Sequence, residues 1–174
     1  MMEDKYLKIK MALVVAREFA PAWLMRADAD DLISRRLVKF IQNRPINTAW
    51  YSEEGWAHRL GSRWALKLHN FHKLCGTSCV TYVTRAELPE TFDQPSKEFY
   101  LMTQGHHTVV DYLRTLDITV NPIPFPTTVY VTDSGENHSG RWFSGLQGKR
   151  WMLRKMLCSR RIGWRLSAEF GLKP

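Results

Sequence analysis

The densest chemistry in this sequence is cationic. Between Gly145 and Pro174 stand Lys149, Arg150, Arg154, Lys155, Arg160, Arg161, Arg165 and Lys173 against a single acid, Glu169, a charge of +7 in 30 residues. The whole chain carries +8, so the other 144 residues contribute only +1. Cations spaced to track a sugar-phosphate backbone bind it by neutralising phosphates and releasing condensed counterions. Trp151 and Trp164 lie inside the basic stretch, and Arg141, Trp142 and Phe143 lie just before it. Flat rings beside cations stack on unpaired bases, each worth about 1–3 kcal/mol. A helix over residues 148–161 would put Met152, Leu153, Met156 and Leu157 on one side and the cations over the rest. The candidate phosphate contacts are Lys149, Arg150, Arg154, Lys155, Arg160, Arg161 and Arg165, joined by Arg141, with Trp142 and Trp151 as stacking platforms. The same pattern also fits a solvated face on a packed helix, or a docking element for an acidic protein or an anionic surface.

His69, His72, Cys75 and Cys79 are all potential zinc ligands. Structural zinc sites normally pair two short knuckles distant in sequence, and this cluster is continuous. The expected reading is therefore two buried thiols and two histidines near a helix C-terminus, with no metal. His106, His107 and Asp111, with Glu136, Asn137, His138 and Arg141, supply the group types of a metal-independent nuclease. Such an enzyme needs two proton-transfer groups and a cation for the pentavalent phosphorus. Those residues can act together only if the fold brings 106–111 beside 136–141. The sequence holds no phosphate-cradling glycine loop, dinucleotide fingerprint, zinc-protease helix, nucleophile elbow or Cys-x-x-Cys pair. No cofactor is expected.

These residues need a scaffold, and 174 residues are enough to build one. The chain is expected to form one domain over residues 1–174. A domain of that size buries about 70% of its unfolded surface and needs no disulfide or metal. Apolar residues at 44% and charged residues at 24% exclude a disordered segment. Three cysteines, without an apolar run long enough for a signal core or a membrane span, point to a reducing, cytoplasmic setting.

The expected class is α+β: N-terminal helices on a small, mostly antiparallel sheet, followed by the basic C-terminal helix. A helix is expected over 3–20, interrupted by Pro21, although the alternation from Tyr6 to Met11 also fits a strand, and a second from the Asp28–Asp31 cluster to about residue 42. The longest is expected over 52–76, capped by Ser52 and Gly76, with Trp56, Leu60, Trp64, Leu68, Phe71 and Cys75 as a buried stripe. Arg59, Arg63 and Lys67 would line another side of it and extend the basic surface. Residues 77–84, 97–103, 117–121 and 127–132 read as strands, and 106–116 as a short helix. The loop Asp133–Gly140 is turn chemistry, with 141–143 as a hairpin partner. Residues 162–170 fit either a strand or a helix. The function expected is nucleic-acid binding. The alternatives are an accessory protein of viral or mobile-element type that inhibits a host protein, and the nuclease.

Overall fold

The computed structural model describes residues 2–95, 105–116, 118–132 and 158–172. The class is α+β, with helices at both ends and strands between. Helix α1 (Met2–Ala16) buries Leu13 and packs Ile9 and Ala16 beside it. A Lys8–Asp4 pair at 2.7 Å braces its exposed side. A single 3-10 turn follows, and the chain becomes extended at Ala20, before Pro21.

The strands form two sheets, where the sequence pattern led us to expect one. The first holds β1 (Ala22–Met25), β6 (Cys79–Val83), β3 (Thr48–Ser52) and β7 (Thr119–Ile123), in that order. The second holds β2 (Leu32–Ile33), β8 (Thr128–Thr132), β4 (Glu54–Arg59), β5 (Trp64–His69) and β9 (Ser159–Arg161). The β3–β7 and β4–β8 pairs are parallel and the others antiparallel. The reason lies at the crossings. Two of the passages from the first sheet to the second, at Glu53 and at residues 124–127, run side by side in the same direction. Pro124 and Pro126 suit the second crossing, because proline needs no ladder donor there. Fully buried hydroxyls fasten the junction: Ser52 bonds Thr127, and the Thr128 hydroxyl donates to the Thr77 carbonyl at 2.8 Å.

Strand alternation sorts the side chains into three apolar clusters. Val83 and Ala49 face Leu13 of α1 together with Val109 and Leu113 of α3 (Val109–Arg114). Val80 faces the other way, to Leu37 and Ile41 of α2 (Arg36–Ile41) and to Ile123. In the second sheet Trp56, Ala65, Val129 and Val131 pack against Phe170 of α4 (Trp164–Phe170), with Ile162 and Leu172 closing the ends.

The largest correction concerns residues 52–76, which form a hairpin and not a helix. β4 and β5 flank a turn whose Gly61 has φ +79°, a conformation that L side chains rarely adopt. A spacing of four is also a multiple of two, so it does not by itself separate a helix from a strand, and the turn puts Trp56 and Trp64 on opposite faces of the sheet. Trp56, Phe71 and Cys75 are buried as expected, but Leu60 lies in the turn and is 63% exposed, and Trp64 is 53% exposed. The expected second helix begins later, after the short strand β2. Ser159, Arg160 and Arg161, the end of the expected basic helix, form β9, because the free edge of β5 supplies their backbone partners. Residues 162–170 resolve as a helix from Trp164. The strands expected near 80, 119 and 130 are present. The strand expected over 97–103 and the hairpin over 133–143 lie outside the described residues.

Candidate nucleic-acid interface

The β4–β5 turn is built to hold cations at one end of the second sheet. The Ser62 N–H donates to the Arg59 carbonyl at 2.9 Å, and the Trp64 N–H donates to the Ser62 hydroxyl at 3.1 Å. Arg59 ends β4 and Arg63 immediately precedes β5, so the turn presents both at its mouth. β9 runs antiparallel to β5, pairing Trp64 with Arg161 and Ala65 with Arg160. Beyond it the Ile162 N–H donates to the Arg63 carbonyl at 2.9 Å, and Trp164 follows two residues later. Neighbouring strands are about 4.8 Å apart, so β4, β5 and β9 bring these residues across a rim roughly 10 Å wide.

Direct cross-strand partners share a face. Arg161 therefore lies on the side of Trp64, and Arg160 on the side of Ala65, the face that α4 covers. The cations thus wrap the edge of the sheet. Arg63, Arg160, Arg161 and Arg165 are all exposed. Trp64 and Trp164 are 53% and 75% exposed, and the Arg165 guanidinium lies 5.2 Å from the Trp164 ring centre. Leaving an indole that far in water forfeits much of what burying it would contribute. Glu169, the one acid of the basic stretch, is engaged by Arg36 at 2.7 Å and Ser34 at 2.6 Å, which lessens its offset of the neighbouring cations. Lys67, grouped with Arg59 and Arg63 in the sequence, instead pairs with Glu54 at 2.7 Å inside the sheet.

Of the expected contacts, Arg160, Arg161 and Arg165 gather at this rim. Lys149, Arg150, Arg154, Lys155, Arg141, Trp142 and Trp151 lie outside the described residues. Trp64 was missed, having been placed in the core of a helix. The signal that could have found it is Leu60-Gly61-Ser62, a turn between two alternating segments.

The four His and Cys residues are drawn to separate partners. His69 faces Glu54 at 3.3 Å, and Cys75 donates its thiol hydrogen to Asp31 at 3.2 Å. Burial pushes the Cys75 and Cys79 thiols up, Cys79 to about 12, so both are protonated at neutral pH. Among the described residues no group of three or more His, Cys, Asp and Glu could hold a metal ion. His106 and His107 contact each other edge-to-face at 5.6 Å, while Asp111 is held by Arg114 at 3.0 Å. Glu136, Asn137, His138 and Arg141 lie outside the described residues.

Burial holds His72 below the usual imidazole range, and the Glu53 carboxylate 3.5 Å away offsets this only in part. The unfolded chain therefore binds this proton more readily than the native state. Stability from this residue is full above about pH 6.5 and is lost as pH falls below it. His72→Phe keeps the edge-on packing against Tyr51, whose ring centre is 4.6 Å away. It is expected to reduce the fall in melting temperature between about pH 7.5 and pH 5.5. An unchanged pH dependence would contradict this.

No family model, curated protein or solved structure matches the chain. Among the described residues, no helix is long and apolar enough to cross a membrane.

Proposed function

We propose that this protein binds nucleic acid, preferring unpaired strands, through the rim formed by the β4–β5 turn, β9 and the start of α4. The observation that carries the reading is the exposure of Trp64 and Trp164 among Arg59, Arg63, Arg160, Arg161 and Arg165. The arginines supply phosphate contacts and the indoles supply base stacking. Cations on both faces of an edge strand suit a flexible single strand that can bend around it. A rigid duplex would meet them from one side only. Lys149, Arg150, Arg154 and Lys155, close in sequence to β9, lie outside the described residues and are proposed as further phosphate contacts. The setting consistent with free thiols is cytoplasmic.

The indoles give the specific test. Trp164→Ala is expected to weaken binding to a mixed-sequence single strand by about 1–3 kcal/mol, with the salt dependence unchanged. Its melting temperature should stay close to the parent's, because the ring is already in water. Trp64→Ala should behave alike. Unchanged affinity in both variants would remove stacking from the account.

A second reading, a protein-binding accessory, draws on a different surface. Leu7, Met11, Val15 and Phe19 follow one another at steps of four along α1 and the turn after it, and each is 49% exposed or more. An apolar stripe of this kind marks protein contact sites more often than chance. A pull-down with and without nuclease separates the readings, since a protein partner survives digestion of the nucleic acid.

A further inference from the structure

The basic rim does not end at Arg165. Arg165, in the first turn of α4, and Glu169, in its last, are four residues apart. They therefore share one face of the helix, about 6 Å apart along its axis. Glu169 is also where α2 is fastened. Its carboxylate takes Arg36 at 2.7 Å, and its carbonyl accepts the Arg35 N–H at 3.3 Å. The start of α2 thus abuts the face of α4 that carries Arg165, one turn beyond the rim.

From there the cations continue. Residues 32–52, between Asp31 and Glu53, hold Arg35, Arg36, Lys39 and Arg44 and no acid. The two flanking carboxylates face other groups: Asp31 accepts from the Cys75 thiol at 3.2 Å, and Glu53 faces His72 at 3.5 Å. Arg36 is committed to Glu169, so it cancels that acid and adds no charge of its own. Arg35 and Lys39 are exposed, and four residues of αR backbone put them on one face of α2. Among the described residues, no acid pairs with Arg35, Lys39 or Arg44.

Arg44 is held in place by rings. Its guanidinium lies 4.0 Å from the centre of Phe40 and 5.0 Å from that of Trp50. The Trp50 N–H is spent on the Thr48 hydroxyl at 2.9 Å, so this indole serves Arg44 only as a flat support. Stacking fixes a guanidinium plane while leaving its donors at the edge. The Nε atom of Arg44 is buried and has no hydrogen-bond partner. A charged donor in that state is costly, and a phosphate oxygen is the acceptor that matches it in charge.

We infer that α2 and the residues after it form the second half of the strand-binding surface: an unpaired strand seated on the rim continues past Arg165 to Arg35, Lys39 and Arg44. This rests on the nucleic-acid reading of the rim and extends its footprint.

The test compares unpaired strands of about six and about 20 nucleotides, the shorter being long enough for the rim alone. Wild-type protein should bind the longer strand with a log–log salt slope steeper by about 2, from three further phosphates. Replacing Arg35, Lys39 and Arg44 together with Gln should remove that difference. It should weaken the longer strand by more than about tenfold at about 200 mM salt, and the shorter by no more than about twofold. The pair Arg35→Gln and Lys39→Gln leaves the Arg44 stack intact, and should still flatten the longer strand's slope by about 1.4. If wild-type protein binds both lengths with one slope, or the triple and double variants hold both strands as the parent does, α2 lies off the path and the rim reading stands alone. Equal weakening of the two lengths also overturns the inference, because charge lost from the general field does not discriminate by length. Wild-type protein that binds neither strand overturns the rim reading, and the extension with it.

Discussion

Replacing Phe71 with Ala is expected to lower the stability of the protein by about 3–5 kcal/mol, a large part of a typical total of roughly 5–15 kcal/mol. Phe71 is fully buried, and its ring fills the space beside Gly55 on β4. A β-carbon on residue 55 would lie 2.4 Å from the body of that ring, which has no flexible end to move aside. The ring and the glycine are therefore one packing unit. Phe71→Ala empties it and Gly55→Ala overfills it, the latter at a cost of about 1–3 kcal/mol or more. Urea unfolding of both variants checks the pair. A Phe71→Ala midpoint equal to the parent's would mean that the ring does not fix the hairpin to the turn at 71–73.

That pair also explains why this region was hard to read. Phe71, Trp56 and Cys75 belong to the core, as their type suggests, but they reach it from a strand and the turn after the hairpin and not from one helix. Spacings of four serve helix and strand alike, and what decided between them was the positive φ of Gly61 and the ring over Gly55. Both glycines were visible in the sequence as helix-weakening residues. Their need for a turn and a close contact depends on partners distant in the chain. The same holds for Arg160 and Arg161. Both are exposed, as charged residues usually are, yet their strand exists because β5 offers a free edge, and local propensity carries no record of that. Where the local signal was strong and unopposed, as in β6 and β8, the expected elements formed, and over 3–20 the helix won over the alternation of Tyr6–Met11. The α+β class was legible from these alone, whereas the division into two sheets came from the parallel crossings at Glu53 and residues 124–127.

The second large effect concerns the rim. Replacing Arg63, Arg160, Arg161 and Arg165 together with Gln is expected to flatten the log–log salt dependence of single-strand binding by about 3. Affinity at about 200 mM salt should fall on the order of 10², and by more at lower salt, because counterion release from four phosphates is lost. Stability should hardly change, since solvated cations contribute little to folding. A variant that keeps the parent's salt slope while folding normally would place the phosphate contacts elsewhere on the chain.

The central claim is that the cationic, indole-bearing rim binds nucleic acid. Its most direct test is fluorescence anisotropy of a labelled, mixed-sequence single strand titrated with wild-type protein between about 50 and 200 mM salt. With one phosphate neutralised at each of the five rim arginines, a log–log slope of about −3.5 and a loss of affinity of roughly 10² across that range are expected. Failure to bind any mixed-sequence DNA or RNA at about 50 mM salt, where the electrostatic attraction is strongest, would contradict it.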